Sequence, residues 1–239
     1  MEPEVNTKPK LTIGEVIKNT IYINLDSRVD RRKLFEKQVN DLHTAYPADF
    51  TFQNVQRFSA IKDPENGLLG CGKSHAECLR IAIAKKWDYV FICEDDAQFI
   101  HPEILVNQLN IFLDKYEDNW DVIMLSGNNY PPYKIEGPEC VRIANCNCCT
   151  SYIVRREYQS VLLKNFEEGI SLFTYNPQHK SKYGCDIYWK KLQNFDRWYL
   201  ITPICITQRA DYSDIEHRFV DYNSLILNVA KIPNNYIRK

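Results

Sequence analysis

The most constraining feature of the sequence is an uninterrupted apolar run, YVFIC at residues 89–93, that stops at three consecutive carboxylates. Such a run is typical of a strand that is covered on both faces in a mostly parallel sheet. Ligands of open α/β sheets bind in the crevice beyond the carboxyl ends of the strands. Glu94, Asp95 and Asp96 stand at that position, so the sequence predicts a ligand site there.

Segments with strand and helix patterns alternate through the first half of the chain. Strand patterns occur at residues 20–26, 55–61, 89–93 and 121–126, and helix patterns at residues 74–86 and 102–116. This alternation predicts an α/β fold with a mostly parallel central sheet flanked by helices. The second half, with a strand at 152–154, a helix at 155–166 and a strand at 198–203, is less regular.

Charge and composition exclude several classes of partner. The formal net charge is -1, so the chain has no global attraction for nucleic acid or for an anionic membrane. No apolar run approaches the roughly 18 to 20 residues that cross a bilayer. The nine cysteines are odd in number and several lie in apolar stretches, which favours a reducing, cytoplasmic compartment.

The three adjacent carboxylates point to a divalent cation. Unneutralised, they repel one another, and a hard cation with oxygen ligands would relieve that repulsion while it bridges a diphosphate. The alternative is a solvated loop or an acidic helix start without a ligand.

Residues 67–74, GLLGCGKS, also match the phosphate-binding pattern GxxxxGK[ST]. That match would make the chain a P-loop kinase or NTPase in which Lys73 contacts the phosphates. A P-loop opens directly off a strand, whereas the six residues before Gly67 are polar and include Pro64. We keep this interpretation as an alternative.

Five blocks together resemble glycosyltransferase family 25, which includes lipooligosaccharide and procollagen sugar transferases. They are IYINLDSRVDRR at 21–32, RFSA at 57–60, GLLGCGKSH at 67–75, VFICEDDAQF at 90–99 and WDVIMLSG at 120–127. In the third block Lys73 falls at a variable position of the family pattern, which disfavours the P-loop. Leu68 departs from the pattern, because the family commonly has Glu there.

The resemblance implies a GT-A-like fold and an inverting, metal-dependent glycosyltransferase. Its donor would be a UDP-sugar, with galactose or glucose as the sugar, its cofactor Mn²⁺ or Mg²⁺, and its acceptor a hydroxyl of a glycan or hydroxylated protein. We expect a flexible lead over residues 1–18 and one domain over 19–239. Within it, residues 19–130 would bind the nucleotide and residues 131–239 the acceptor. A catalytically inactive carbohydrate-binding domain is the further alternative.

The resemblance also implies roles for particular residues. Asp96 is the main metal ligand, and the further metal candidates are Glu94, Asp211 and Asp214. The candidates for binding the donor nucleotide are Asn24, Asp26, Arg28, Ser74, His75, Glu94, Asp95 and Arg209. Asp186 is the candidate general base, because it lies among aromatic residues in a segment similar to a family motif.

Each assignment has a plainer alternative. Asp186 could cap the following short helix, since Asp is a favoured capping residue. His75 could be a hydrogen-bonded structural residue, and Arg31 and Arg32 ordinary exposed helix charges. The cluster CNCC at 146–149 lacks the usual spacing of a zinc site, so buried small side chains are preferred. Three aromatic residues near Asp186 could form a sugar platform: Tyr188, Trp189 and Trp198.

Overall fold

The computed structural model describes residues 10–231, which contain fourteen strands and nine helices. The strands are β1 (Asn19–Asn24), β2 (Asn54–Ser59), β3 (Tyr89–Glu94), β4 (Ala97–Phe99), β5 (Val122–Met124), β6 (Asn128–Asn129), β7 (Tyr133–Ile135), β8 (Cys140–Ile143), β9 (Cys146–Asn147), β10 (Ser151–Arg155), β11 (Trp198–Ile201), β12 (Ile206–Gln208), β13 (Asp211–Ser213) and β14 (Arg218–Val220). The helices are α1 (Ile13–Ile17), α2 (Val29–Ala45), α3 (Gly67–Ala84), α4 (Pro102–Tyr116), α5 (Arg156–Tyr175), α6 (Lys180–Tyr183), α7 (Cys185–Tyr188), α8 (Lys190–Gln193) and α9 (Asn223–Ile226).

Eight strands form a central sheet in the order β2-β1-β3-β10-β5-β11-β8-β7. β1 runs parallel to β2 and β3, and β5 runs parallel to β11. β10 is antiparallel to both β3 and β5, β8 is antiparallel to β11, and β7 is antiparallel to β8. Six strands therefore share one direction, with β10 and β8 opposed. The predicted α/β class, with a mostly parallel sheet flanked by helices, is confirmed.

The helices bury apolar side chains against both faces of the sheet. Because successive side chains of a strand point to opposite faces, Tyr22 packs with α1, α2 and α4, while Ile21 and Ile23 pack with α3 and α5. This two-sided burial explains why the run at 89–93 is apolar throughout. Strand β10, from the second half of the chain, lies between β3 and β5 of the first, so the two predicted halves share one sheet.

The predicted flexible lead does not extend to residue 18. Residues 13–17 form α1, and Ile13, Val16 and Ile17 are buried in the core beside α2 and α4. Burial of these apolar side chains stabilises the short helix. Residues 1–9 of the predicted lead lie outside the described residues.

Helix α3 begins at Gly67, seven residues earlier than the predicted helix. The Asn66 side chain accepts a hydrogen bond from the Leu69 N–H at 3.1 Å and so caps the helix. Residues 67–74 are thus helical, and Lys73 pairs with Asp63 (Nζ to Oδ2, 3.2 Å). The P-loop interpretation is wrong, because helical N–H groups beyond the first turn are bonded within the helix and cannot cradle a phosphate.

Over residues 10–231, none of the helices combines the length and the apolar character that crossing a membrane would require.

Candidate functional site

A cleft of about 840 Å³ opens at the carboxyl ends of β1 and β3. Its walls come from the segment after β1, the segment 60–68 that leads into α3, the residues after β3, and the β13–β14 hairpin. Residues with charged side chains on these walls include Arg28, Arg31, Lys62, Asp63, Glu94, Asp95, Asp96, Asp214 and Glu216. The predicted ligand site at this edge of the sheet therefore corresponds to an actual cleft.

Two carboxylates of the triplet share one arginine. Arg31 of α2 places Nη1 3.2 Å from Asp95 Oδ1 and 3.0 Å from Asp96 Oδ2. The Arg31 side chain is only 11% exposed. The expectation that Arg31 is an ordinary exposed helix charge is wrong, because α2 lays this side chain across the end of β3. The neighbouring Arg32 is 46% exposed and pairs with Glu36 on the surface.

Among the carboxyl groups that line the cleft, Asp96 has the most strongly shifted pKa. Burial, together with the charges of Glu94 and Asp95, raises the pKa of Asp96 to about 7 against the opposing effect of Arg31. Its Oδ2 accepts hydrogen bonds from Arg31 and from Gln208 Nε2 at 3.0 Å. Its Oδ1 is buried and has no hydrogen-bond partner within residues 10–231. A buried carboxylate oxygen without a partner is costly unless a ligand satisfies it.

The β13–β14 hairpin is held to α2 by ion pairs. Asp211 Oδ2 lies 2.7 Å from Arg28 Nη2 and 2.9 Å from Arg31 Nε. Asp214 Oδ2 lies 2.7 Å from Arg28 Nη1, and the Tyr212 carbonyl accepts from both arginines. Asp211 and Asp214, two predicted metal candidates, are thus paired with guanidinium groups in this structure. The hairpin closes one side of the cleft.

The two predicted donor-binding residues at the end of β1 face β2 and β3. Asn24 donates to Asp95 Oδ2 at 2.6 Å and accepts from Arg57 Nε at 2.9 Å. Asp26 accepts from Arg57 and from the Ser59 hydroxyl, and Arg57 lowers the pKa of Asp26. Neither Asn24 nor Asp26 lines the cleft, and their bonds orient Asp95 and Arg57. Sequence reasoning gave Arg57 no role, although it lies in a block of the family resemblance.

Glu94 faces away from its two neighbours in the triplet, toward α3. Its Oε1 lies 3.6 Å from His75 Nε2 and 3.7 Å from Cys71 Sγ. Its Oε2 accepts from the Thr150 hydroxyl at 3.3 Å. The triplet is therefore two separate groups, with Asp95 and Asp96 beside Arg31 and Glu94 beside His75.

Ser74 and His75 are buried on the inner face of α3. The Ser74 hydroxyl donates to the Gly70 carbonyl at 2.8 Å and accepts from the Ile61 N–H at 2.9 Å. A Cβ at Gly70 would collide with the Ile61 carbonyl oxygen, so glycine permits this close approach. Ser74 therefore holds the segment that forms one wall of the cleft.

Asp186 lies in the first turn of α7, where Gly184 is the N-cap. The capping interpretation of Asp186 is therefore wrong. Its Oδ2 accepts from the Cys148 N–H at 3.0 Å, and burial raises the pKa of Asp186 to about 6, with Cys185 and Glu94 adding to the increase. Lys190 opposes this shift. Asp186 does not line the cleft, although its charge interacts with that of Glu94 on the cleft wall.

Arg209 follows β12 beside the triplet. Its backbone N–H donates to the Asp96 carbonyl at 2.8 Å. Its Nε is buried and has no hydrogen-bond partner in the part of the chain that the structure describes. Arg209 does not line the cleft, so its predicted contact with the donor stays a prediction.

Two of the three aromatic residues proposed as a sugar platform are core residues. Trp189 and Trp198 are fully buried and pack edge to face at 5.2 Å between ring centroids. They fill the layer between the sheet and α5, so no sugar can reach them. Tyr188 is partly exposed, with Lys191 Nζ 4.0 Å from the centroid of its ring.

The residues around Asp96 fit a hard divalent cation in one respect. The unpartnered Oδ1 is a carboxylate oxygen, the type of ligand that Mg²⁺ and Mn²⁺ prefer. Arg31 already neutralises Oδ2, so a cation here would use one carboxylate oxygen and take its other ligands from phosphate and water.

No family model matches the chain, and no curated protein matches it. Similar solved structures include a glycosyltransferase involved in the glycosylation of the major capsid of PBCV-1, at 9% identity and a TM-score of 0.47, covering 76% of this chain and 80% of that one. Mannose-1-phosphate geranyltransferase from Thermus thermophilus is similar at 11% identity and a TM-score of 0.42, over 77% of this chain and 72% of that one. A CMP:2-keto-3-deoxy-manno-octonic acid synthetase complexed with CTP is similar at 9% identity and a TM-score of 0.35, over 76% of this chain and 88% of that one. Likenesses at this level concern the path of the chain and identify no substrate.

Proposed function

We propose that this chain is a GT-A-like glycosyltransferase that uses a nucleotide-diphosphate sugar, with a UDP-hexose as the donor. The observation that carries the proposal is the cleft at the carboxyl ends of β1 and β3, where Arg28, Arg31 and the buried Asp96 meet. Its volume of about 840 Å³ falls within the range of roughly 300–1,000 Å³ that is typical of small-molecule sites. The family resemblance supports the donor class.

The diphosphate would lie between the arginines and Asp96. Arg28 and Arg31 both line the cleft. Guanidinium groups bind phosphate oxygens through paired hydrogen bonds, and they stabilise the charge that grows on the leaving group. Asp96 would hold Mn²⁺ or Mg²⁺ through Oδ1, and that ion would neutralise the departing diphosphate.

On the family resemblance, Asp186 is the proposed general base of an inverting transfer, and since it lies outside the lining of the donor cleft, the acceptor hydroxyl would have to reach it there. A base must be unprotonated, and the pKa of Asp186 is raised to about 6 by burial. We expect kcat/KM to rise with pH through about 6 and to level off above it, since deprotonation of Asp186 completes there. Asp186→Asn should remove this acid limb and lower kcat by roughly 10²–10⁴-fold. A pH profile that keeps the same limb in the variant would contradict the role.

A transfer assay tests the proposed activity. The purified chain with Mn²⁺ should release UDP from at least one UDP-hexose in the presence of glycan or hydroxylated-peptide acceptors. Lys73→Ala is the matched control, because Lys73 pairs with Asp63 at the margin of the cleft and should leave turnover unchanged. Donor binding without UDP release from any UDP-hexose would instead indicate the catalytically inactive carbohydrate-binding domain.

A further inference from the structure

A second group of potential ligands lies on the other side of the cleft from Arg31. Cys71 and His75 are four residues apart on α3, so both face the end of β3, where Glu94 stands. The Cys71 Sγ, a His75 ring nitrogen and a Glu94 carboxylate oxygen all lie within 4.8 Å of one another. This group is the Cys71–His75–Glu94 cluster.

The spacing of the cluster is close to that of a tetrahedral zinc site. Ligand atoms bound to Zn²⁺ at about 2.0–2.3 Å in a tetrahedron lie about 3.3–3.8 Å apart. In the structure Glu94 Oε1 is 3.6 Å from His75 Nε2 and 3.7 Å from Cys71 Sγ. The contact between Cys71 and Glu94 is at most a weak S–H···O hydrogen bond, and the separation of His75 Nε2 from Glu94 Oε1 is longer than an ordinary hydrogen bond.

The histidine supplies an independent indication of a ligand. His75 is fully buried, and its Nε2 has no hydrogen-bond partner among residues 10–231. Its other ring nitrogen, Nδ1, lies 2.8 Å from the Tyr152 hydroxyl oxygen. If Nδ1–H donates to that oxygen, Nε2 presents a free lone pair toward Glu94. This is the arrangement of a metal-binding histidine whose second nitrogen is fixed by an outer hydrogen bond.

The negative charge of Glu94 in the cluster is not balanced by a neighbouring cationic side chain of residues 10–231. Within the described part of the chain, no lysine or arginine forms an ion pair with Glu94, and the nearby basic atom is Nε2 of His75. Asp95 and Asp96, in contrast, share Arg31. In this part of the chain Glu94 thus has no fixed cationic side chain beside it, whereas Asp95 and Asp96 have Arg31.

We propose that Cys71, His75 and Glu94 bind one Zn²⁺, separately from any Mg²⁺ or Mn²⁺ at Asp96. Thiolate, imidazole and carboxylate together favour a borderline-soft d-block cation, whereas Mg²⁺ and Mn²⁺ favour oxygen ligands alone. Binding displaces the Cys71 thiol proton to solvent. Because Cys71 and Glu94 line the cleft, the fourth position of the zinc opens toward it, as in sites with three protein ligands.

The test begins with the metal content of the intact chain. Protein purified from zinc-supplemented medium under thiol-reducing conditions should contain about one zinc per chain by elemental analysis. Replacement with Co²⁺ should give the near-ultraviolet thiolate-to-cobalt absorption of a site with one sulfur ligand. Chelation should lower the melting temperature, because the metal joins α3 to the end of β3. These three readouts require no variant to fold.

Matched cysteine variants locate the metal. Cys71→Ala should lower the zinc content at least about tenfold and remove the cobalt–thiolate absorption. Cys78→Ala is the control, because Cys78 is a buried cysteine of the same helix that lies outside the cluster and should keep both signals. A wild-type chain without stoichiometric zinc, or a cobalt–thiolate band that survives in Cys71→Ala, would overturn the proposal. Binding of UDP, measured alongside, reports on the proposed function independently of the zinc result.

Discussion

Arg31→Met is expected to lower the free energy of unfolding by about 3–5 kcal/mol, because it leaves two buried carboxylates without their shared cation. Asp95 and Asp96 have side chains that are only 8% and 6% exposed, and Arg31 reaches both. The same substitution removes the link from α2 to Asp211 on the hairpin. Urea denaturation of the variant and the wild type measures the difference.

Arg32→Met is the matched control for this prediction. Arg32 is the next residue of α2, but it is 46% exposed and pairs with Glu36 at the surface. Exposed pairs of this kind contribute at most about 1 kcal/mol. Equal losses of stability in the two variants would contradict the central place that we give to Arg31.

Asp96→Asn is expected to lower kcat/KM for a UDP-sugar by roughly 10³-fold or more, which corresponds to several kcal/mol of transition-state stabilisation. The amide keeps the shape of the carboxylate and can still accept from Gln208. It loses the charge that would hold a divalent cation. The loss should therefore appear in turnover, while the fold is retained in circular dichroism.

Asp88→Asn provides the control, because Asp88 precedes the amino end of β3, at the opposite edge of the sheet from the cleft, and pairs with Arg156. It should leave kcat/KM unchanged. Retention of full activity in Asp96→Asn would remove Asp96 from the site.

The class of fold and the position of the site could be predicted from the sequence. The apolar run at 89–93 is long enough and abrupt enough to mark a central strand, and its end marks the edge where the cleft opens. These inferences depend on local pattern and on a general property of α/β sheets. Neither requires knowledge of which helix lies over which strand.

The partners of the carboxylates could not be predicted in this way. Glu94 and Asp95 are adjacent in sequence, yet the alternation of side chains along the strand sends one toward α3 and the other toward α2. Arg31 and Arg32 are neighbours in the same charged stretch, so the sequence around them does not tell the buried arginine from the exposed one. The packing of α2 against the sheet decides that Arg31 is the buried one.

The Cys71–His75–Glu94 cluster was also missed, although all three members lie in blocks of the family resemblance. The four-residue spacing of Cys71 and His75 on a predicted helix was the available signal. The three cysteines at 146–149 drew attention away from this signal, because they are clustered in the sequence. Of these, Cys146 is a buried core residue. Helix α3 also begins earlier than its apolar pattern predicts, which placed Cys71 in a loop.

The most direct test of the account is a calorimetric titration of the chain with UDP, in Mn²⁺ and in chelator. We expect binding in Mn²⁺ that weakens at least about tenfold in chelator, a difference of about 1.4 kcal/mol or more. Asp96→Asn should show the weaker affinity under both conditions, and ATP should not compete. UDP affinity that is absent, or that is unaffected both by Mn²⁺ and by the loss of Asp96, would contradict the proposed donor site.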